Sequence, residues 1–373
     1  MTASMTTMTS LLEKNDVIEP FQDNAIIHGD ITEHRRGENR PERWIRISSA
    51  KFVDGAFGHI HLEKLENPKN EKKTTLRVVK VIPEQQAKDN ETLFFREVKA
   101  MATCRRREYR EYFVQMRCWF VANGAYHIAM EYCPHGDLDE FCRKGPLPEQ
   151  YARTVVKQVL QGLRFFHGQG FAHRDLKPKN ILVYEIPTDS TELKVKIADF
   201  GISKRARPDD NTKYSSVCGT LGFLAPEVLE KKATYNESVD IWSVGCLQYW
   251  LLTKAEDTIF FRGFQEDSND DGGTIVLRNL QARNVSSNAI AFLLRTLQRE
   301  PRDRPTADQA LRLSWMVREV INYGSDDDSD SDTSTVIISD SRLPTSPISP
   351  SSITDSGPCL SSVLFICLSL ISL

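Results

Sequence analysis

The sequence predicts an α+β fold with two lobes, a five-stranded N-terminal lobe that carries one main helix and a mostly helical C-terminal lobe. Three observations predict it. Five short stretches in the first third of the chain have strand-like composition. One segment with helical periodicity interrupts them, and longer helical patterns dominate the second half. We place the folded domain at residues 41–322, with the first lobe at residues 41–134 and the second at residues 135–322.

The first lobe is predicted from segments rich in apolar, β-branched and aromatic residues. They are residues 44–47, 60–65, 76–82, 113–121 and 126–132. Between the third and the fourth segment, residues 91–101 place apolar side chains at helical spacing. Five strands and one helix therefore form the first lobe.

The second lobe is predicted from amphipathic helices. Residues 151–167 repeat apolar residues at intervals of three and four, among them Val155, Val159 and Leu163. This pattern indicates a long helix that is buried on one side. Residues 239–252 and 289–297 are predicted as further helices.

Both ends of the chain differ in composition from the domain. Residues 1–40 are polar with little periodic pattern, so we expect a flexible extension, with a docking segment as the alternative. Residues 323–373 are predicted to be a disordered acidic tail rich in Ser and Pro, because they cannot bury enough apolar surface. From Gly324 onward, seven Asp and one Arg give a net charge of −6. The whole chain has a net charge of −3, so the residues before Gly324 carry +3.

The last residues, 360–373, are apolar with interspersed Ser. This run is shorter than a membrane-spanning helix and lacks an adjacent basic anchor. We expect a docking peptide or an unusual isoform end, and we keep membrane contact through this tail as the less favoured alternative.

Composition also limits the partners and the compartment. The chain has no overall excess of basic residues of the kind that binds nucleic acid, so no nucleic-acid partner is expected. The eight cysteines include no pair with CxxC spacing, which argues against a zinc site. The N-terminus does not read as a secretory signal, so we expect reduced thiols and a cytoplasmic or nuclear location.

Three segments carry the chemistry, and their order is more informative than any of them alone. Residues 173–180 read His-Arg-Asp-Leu-Lys-Pro-Lys-Asn, residues 199–201 read Asp-Phe-Gly, and residues 225–227 read Ala-Pro-Glu. Asp240 and Arg304 occupy two further motif positions. With these motifs the chain resembles the eukaryotic serine/threonine protein kinase family over roughly residues 44–318. The resemblance implies ATP-dependent transfer of the γ-phosphoryl group to a Ser or Thr hydroxyl of a protein substrate.

The resemblance implies the role of each catalytic side chain. Asp175 would accept the proton of the attacking hydroxyl, and Lys177 would neutralise charge on the transferred group. The hydroxyl of Thr220 would bridge these two residues, which is typical of the Ser/Thr subclass. Lys80 would contact the α- and β-phosphates, and Glu97 would hold Lys80 in place.

Two residues are implied as ligands of Mg²⁺. Asn180 and Asp199 offer hard oxygen atoms, which suit Mg²⁺ better than a softer metal. Phosphate oxygens and water would complete the coordination. A surface turn is the alternative interpretation of residues 199–201.

The resemblance further implies a pocket for ATP. Its residues are Gly55, Gly58, Ile60, Val78, Lys80, Met130, Glu131, Cys133 and Leu182. Gly55 and Gly58 take the second and third glycine positions of the hairpin over the phosphates. Val53 stands at the first position and has less backbone freedom than glycine.

The adenine part of the pocket is implied to be apolar. Ile60 and Val78 would lie above the base and Leu182 below it, with Val78 where the family usually has Ala. Met130 would guard the back of the pocket, and the backbone of residues 131–133 would offer hydrogen bonds to adenine.

Other family positions are expected to be structural. The rings of His173 and Phe200 would stack, Glu227 and Arg304 would form a buried ion pair, and Asp240 would accept backbone amide hydrogens.

Regulation is suggested by the activation loop, residues 201–227. A phosphate there would balance the charge of Arg174 and order the loop, which implies an upstream activating kinase. Candidate acceptors are Thr212, Tyr214, Ser215 and Ser216. Order through other contacts is the alternative.

Two rival functions stay open at this point. A nucleotide-binding pseudokinase or scaffold with little catalysis is favoured slightly by Val53 and Val78. A small-molecule kinase is disfavoured because residues 220–227 resemble a frame for a peptide substrate.

Overall fold

A computed structural model of the chain describes the following residues: 22–35, 41–47, 53–55, 58–67, 74–85, 91–188, 192–200, 204–205, 220–229, 236–255 and 278–317. The predicted acidic tail and its apolar end lie outside them, as do most of the activation loop and the first 21 residues of the predicted extension.

The first lobe contains an eight-stranded sheet. Its strands are β1 (Ala25–His28), β2 (Ile31–His34), β3 (Glu42–Arg46), β4 (Val53–Gly55), β5 (Gly58–Leu65), β6 (Leu76–Pro83), β7 (Met116–Ala122) and β8 (Ala125–Glu131). The order across the sheet is β1-β2-β3-β5-β6-β8-β7, and β4 pairs with β5. The five predicted strands are confirmed as β3, β5, β6, β7 and β8, and the helix as α1 (Glu91–Thr103).

The sheet is larger than predicted because part of the N-terminal extension belongs to it. Strands β1 and β2 form an antiparallel hairpin in which Ala25 faces His34, and β2 also pairs antiparallel with β3. The prediction of a flexible segment is therefore wrong for residues 22–35. The buried positions of β2 are polar, Thr32 and His34, so the segment lacks the apolar alternation that identifies a strand.

The two ends of the strand order also approach each other. The backbone N–H of Asp23 donates to the carbonyl of Trp119 at 2.9 Å, and Gln22 forms a parallel bridge with the same residue of β7. As a result, β6 is buried on both faces. Val78 and Ile82 pack in the main core, whereas Val79 and Val81 pack in a second, smaller cluster beneath the hairpin.

The second lobe is mainly helical, as predicted. Its helices are α2 (Leu138–Phe141), α3 (Glu149–Gly168), α4 (Pro226–Leu229), α5 (Ser238–Thr253), α6 (Ser287–Thr296) and α7 (Ala307–Ala310). Helix α3 buries the predicted apolar side, including Val155, Val159 and Leu163. Helix α5 is buried almost all round, so it forms the centre of the lobe.

Short strands position the loops next to this helical core. Strand β10 (Ile181–Glu185) pairs with β11 (Lys194–Ile197), and β9 (Phe171–Ala172) pairs with β12 (Lys204–Arg205). Among the described residues, no helix combines the length and apolar character needed to cross a membrane.

Candidate active site

The centre of the candidate site is a lysine held by two carboxylates. The ammonium of Lys80 on β6 donates to Glu97 Oε1 on α1 at 2.8 Å and lies 3.8 Å from Asp199 Oδ1. Burial by itself would lower the pKa of Lys80, but the charges of Glu97 and Asp199 outweigh it and the pKa is raised. Lys80 is therefore a charged ammonium in a buried position, available to bind an anion.

A second network surrounds Asp175. Thr220 Oγ1 donates to Asp175 Oδ1 at 2.9 Å, and Lys177 Nζ lies 2.8 Å from Asp175 Oδ2. Lys177 also donates to Thr220 Oγ1 at 2.8 Å. The predicted bridge from Thr220 to both residues is present, and both oxygens of the carboxylate are held in position.

Asn180 joins this network through its amide nitrogen. Its Nδ2 donates to Asp175 Oδ2 at 2.9 Å and to the Asp175 carbonyl at 2.8 Å. The amide oxygen, Oδ1, is buried and has no hydrogen-bond partner among the described residues. A buried acceptor without a partner is costly, so this oxygen is well suited to bind a cation.

The hairpin of β10 and β11 brings Asn180 close to Asp199. Ile181 pairs with Ile197, and the N–H of Ala198 donates to the Asn180 carbonyl at 2.8 Å. Asp199 itself has a φ of 59°, a left-handed conformation that is strained for a residue with a side chain. The two predicted ligands thus lie at the same end of two paired strands, Asn180 just before β10 and Asp199 just after β11, and their oxygen chemistry fits Mg²⁺.

The loop before Asp175 is held by Asp240. Its carboxylate accepts the backbone N–H of His173 at 2.8 Å and that of Arg174 at 2.7 Å, as predicted. The sequence did not indicate a further contact, from His167 Nε2 at 2.8 Å. Burial would raise the pKa of Asp240, but the hydrogen bond and charge of His167 and its other partners lower it overall.

His173 and Phe200 are in contact beneath the site, but their planes are inclined by 60°, so the rings do not stack as predicted. The rings of His173 and Phe200 are 5.6 Å apart, and Phe166 and Phe113 continue the cluster. Burial is the main cause that lowers the pKa of His173, and its Nε2 lies 3.0 Å from the Ala198 carbonyl. A neutral ring bound in this way fits the expected structural role.

The apolar residues predicted for the adenine pocket belong to one hydrophobic core cluster. Ile60, Val78, Met130 and Leu182 are all buried, and Val78 pairs with Met130 across β6 and β8. Gly55 and Gly58 face each other at the end of the β4–β5 hairpin. Gly201, the last residue of the motif at residues 199–201, lies outside the described residues.

The strand end at Glu131 contains a contact that the sequence did not predict. Glu131 Oε1 accepts from Lys196 Nζ at 2.7 Å and from the N–H of Gln115 at 2.8 Å. The side chain is therefore occupied, and so is the backbone N–H of Glu131, which donates to the Gln115 carbonyl at 2.9 Å. Cys133 is fully buried, and this burial raises the pKa of its thiol.

The predicted ion pair of Glu227 and Arg304 is bidentate. Arg304 donates through Nη1 to Glu227 Oε1 at 2.7 Å and through Nη2 to Oε2 at 2.8 Å. The guanidinium also lies over the ring of Trp242. The candidate phosphate acceptors Thr212, Tyr214, Ser215 and Ser216 lie outside the described residues.

Comparisons with known proteins agree with this geometry. The sequence model of the family described as "Protein kinase domain" matches residues 54–316. The chain is 30% identical over 250 residues to the calcium/calmodulin-dependent protein kinase cmkA of Emericella nidulans, which covers 65% of this chain and 56% of that protein. It is 36% identical over 198 residues to the human serine/threonine-protein kinase H1, covering 51% of this chain and 44% of that protein.

A third relative is matched over more of its length. The calcium/calmodulin-dependent protein kinase type 1 of Caenorhabditis elegans is 29% identical over 269 residues, which is 70% of this chain and 71% of that protein. The chain thus spans about half the length of the first two relatives. The match to the family over more than half of the chain, together with the arrangement of the motif residues, shows that the chain belongs to the protein kinase family.

Proposed function

We propose that this chain is an active serine/threonine protein kinase that transfers the γ-phosphoryl group of ATP to a Ser or Thr hydroxyl of a protein substrate. The observation that carries the proposal is the network of Asp175, Lys177 and Thr220, in which each side chain contacts the other two. This network holds one carboxylate and one ammonium side by side, as transfer to a hydroxyl requires. Membership of the protein kinase family supports it.

Asp175 orients the acceptor and receives its proton. Its two carboxylate oxygens are held by Thr220 on one side and by Asn180 and Lys177 on the other. As the substrate oxygen bonds to the γ-phosphorus, the bond from that phosphorus to the β–γ bridging oxygen breaks. The hydroxyl proton passes late to Asp175, while the charge of Lys177 offsets the negative charge of the transferred group.

The nucleotide is held by groups on both sides of the pocket. Lys80, restrained by Glu97, binds the α- and β-phosphates with its ammonium. Asn180 Oδ1 and the Asp199 carboxylate would hold Mg²⁺, which when bound neutralises charge on the phosphate oxygens. The apolar surfaces of Ile60, Val78 and Leu182 favour a planar base.

A phosphorylation assay on a peptide array tests the proposal. The purified full chain is incubated with MgATP and peptides that offer Ser, Thr or Tyr. We expect phosphate on Ser and Thr and none on Tyr. Asp175→Asn should lose transfer and keep nucleotide binding, whereas the control Asp139→Asn, outside the site, should stay active.

The same assay separates the alternative functions. Nucleotide binding without transfer to any peptide would support the pseudokinase, which Val53 and Val78 favour. Transfer only to small molecules would reject the peptide-binding role of residues 220–227. Full activity of Asp175→Asn would reject Asp175 as the proton acceptor.

Regulation by an upstream kinase is a further part of the proposal. Arg174, next to Asp175, is buried, and its backbone has a φ of 70°. A phosphate on residues 212–216 would bring opposite charge to it. Phosphatase treatment should lower activity at least several-fold; unchanged activity would favour a loop ordered by other contacts. The cytoplasmic or nuclear location stays a prediction.

A further inference from the structure

A second group of chemically versatile side chains lies in the first lobe, away from the active site. Asp23 precedes β1, His34 ends β2, and Cys118 lies in β7. Each offers one ligand atom, and these three atoms lie within 4.8 Å of one another. Within the described residues, this is the group of His, Cys, Asp or Glu side chains whose spacing suits a metal ion.

The three side chains converge because the N-terminal hairpin reaches the opposite end of the sheet. The N–H of Asp23 donates to the carbonyl of Trp119, the residue that follows Cys118. The Nδ1 atom of His34 lies 3.1 Å from Asp23 Oδ2. His34 and Cys118 are buried, and only the carboxylate of Asp23 is partly exposed. Three separate segments therefore hold the group in one geometry.

We propose that Asp23, His34 and Cys118 bind one Zn²⁺ ion that joins the N-terminal hairpin to β7. An imidazole nitrogen, a carboxylate oxygen and a thiolate are the ligands that zinc takes in proteins, at about 2.0–2.3 Å. Two ligands at these lengths around a tetrahedral ion lie roughly 3–4 Å apart. The observed 3.1 Å between His34 and Asp23 falls in this interval.

Charge balance supports a divalent ion at this place. One carboxylate and one thiolate neutralise Zn²⁺, so the complete site has no net charge. It can then lie against the apolar cluster of Val79, Val81 and Phe120, where an isolated charge would be costly. Binding releases the thiol proton of Cys118 to solvent, and a water on the exposed side of Asp23 fills the fourth position.

The competing arrangement is a hydrogen-bonded pair of Asp23 and His34 beside a metal-free thiol. This arrangement also explains the short distance between Asp23 and His34, but it assigns no function to Cys118. Zinc differs from it in two measurable ways, because the ion would be stoichiometric and a thiolate–metal bond would form. It would also stabilise the folded first lobe, since metal binding adds to the free energy of folding.

The first test measures metal in the purified full chain. After expression in zinc-supplemented medium, we expect about one zinc per chain by elemental analysis. Cys118→Ser should lose this equivalent, whereas Cys142→Ser, which changes another buried cysteine, should keep it. Removal of zinc by a chelator should lower the melting temperature, and added zinc should restore it.

The second test uses cobalt, and its first measurement is made on the wild-type chain. Metal-depleted wild-type chain is titrated with Co²⁺ in the presence of excess Mg²⁺, which occupies the oxygen ligands of the active site. A near-ultraviolet charge-transfer band that saturates at one equivalent reports a cobalt–thiolate bond. The proposal is overturned if the band does not appear, or if Cys118→Ser retains it.

Discussion

At the candidate active site, the role of a single residue depends on which of its atoms already form hydrogen bonds within the protein. Asn180 uses its amide nitrogen twice on Asp175 and keeps its oxygen available. Asp175 has both oxygens held, so its position is determined before any substrate arrives. Such preorganisation is where protein kinases gain rate, since the reaction needs little covalent chemistry from the enzyme.

The metal assignment can be tested by one substitution. Asp199→Asn removes a negative charge while it keeps the shape of the side chain. We expect turnover to fall by at least about 10²-fold and the Mg²⁺ concentration for half-maximal activity to rise, because a metal ligand is weakened. Steady-state kinetics over a magnesium titration measures both.

The control for this substitution is Asp139→Asn, whose carboxylate pairs with Lys254 away from the site. An unchanged magnesium dependence in Asp199→Asn would show that Asp199 is not a metal ligand.

The residue scale is also where the sequence was most informative. Lys80, Glu97, Asp175, Lys177 and Asn180 could be proposed as site residues because they occupy the motif positions of the protein kinase family in the family's order. The contact of His167 with Asp240 could not, since a histidine on a helix has many structural uses. The group of Asp23, His34 and Cys118 could not be predicted either, because its members lie on three segments of the chain and form no local motif.

At the level of elements, the contribution of an ion pair to stability depends on how deeply the pair is buried. Glu227 at the start of α4 and Arg304 after α6 form a bidentate pair that is almost completely buried. Removing one partner leaves the other charge without compensation in the interior. A pair on the surface, such as Arg312 and Asp308 on and after α7, is screened by water.

We therefore expect Arg304→Ala to destabilise the protein by about 3–5 kcal/mol and Arg312→Ala by less than about 1 kcal/mol. For a domain of this size the first value corresponds to a fall in melting temperature of roughly 10 °C. Thermal unfolding of both variants gives the comparison. Equal shifts would mean that the buried pair contributes no more than an exposed one.

The N-terminal hairpin changes the environment of β8 as well. His127 stacks on Phe120 beneath it, and burial, followed by the charge of His61, lowers the pKa of His127 to about 4. In the unfolded chain a histidine titrates near pH 6.5. Between these values the unfolded state binds the extra proton, so stability rises with pH across this interval.

The prediction is that the free energy of unfolding falls as the pH is lowered from about 7 to 4, by roughly 1.4 kcal/mol for each pKa unit of this histidine. His127→Phe keeps the stack and removes the titration, so part of this slope should disappear. The exposed His28 provides a control as His28→Phe. Denaturant unfolding at a series of pH values measures the slopes, and identical slopes in wild type and His127→Phe would contradict the assignment.

On the scale of the whole molecule, periodicity predicted the division into a sheet lobe and a helical lobe. Composition was a poorer guide at the N-terminus. Residues 22–35 looked too polar to fold, yet Thr32 donates to Glu63 at 2.8 Å and Glu63 pairs with Arg77 inside the sheet. Polar residues can be buried when each finds a partner, and a sequence does not show partners that are distant along the chain.

The C-terminal boundary gives the last prediction. The described chain ends against α3, where Trp315 is buried and donates to Glu149 Oε1 at 2.9 Å. Lys157 Nζ lies 3.5 Å from the Met316 carbonyl. Deletion of residues 324–373 keeps these contacts and removes a segment with little apolar surface over most of its length, so the melting temperature should change by less than about 2 °C.

A longer deletion, of residues 315–373, also removes Trp315 and should destabilise the domain by about 3–5 kcal/mol, the usual cost of losing a large buried aromatic side chain. Differential scanning calorimetry of the two truncated chains distinguishes the folded boundary from the tail. A large fall in melting temperature already with the shorter deletion would show that the apolar residues 360–373 pack on the kinase domain. The expectation of a disordered tail would then be wrong, because that run would belong to the core that the domain buries.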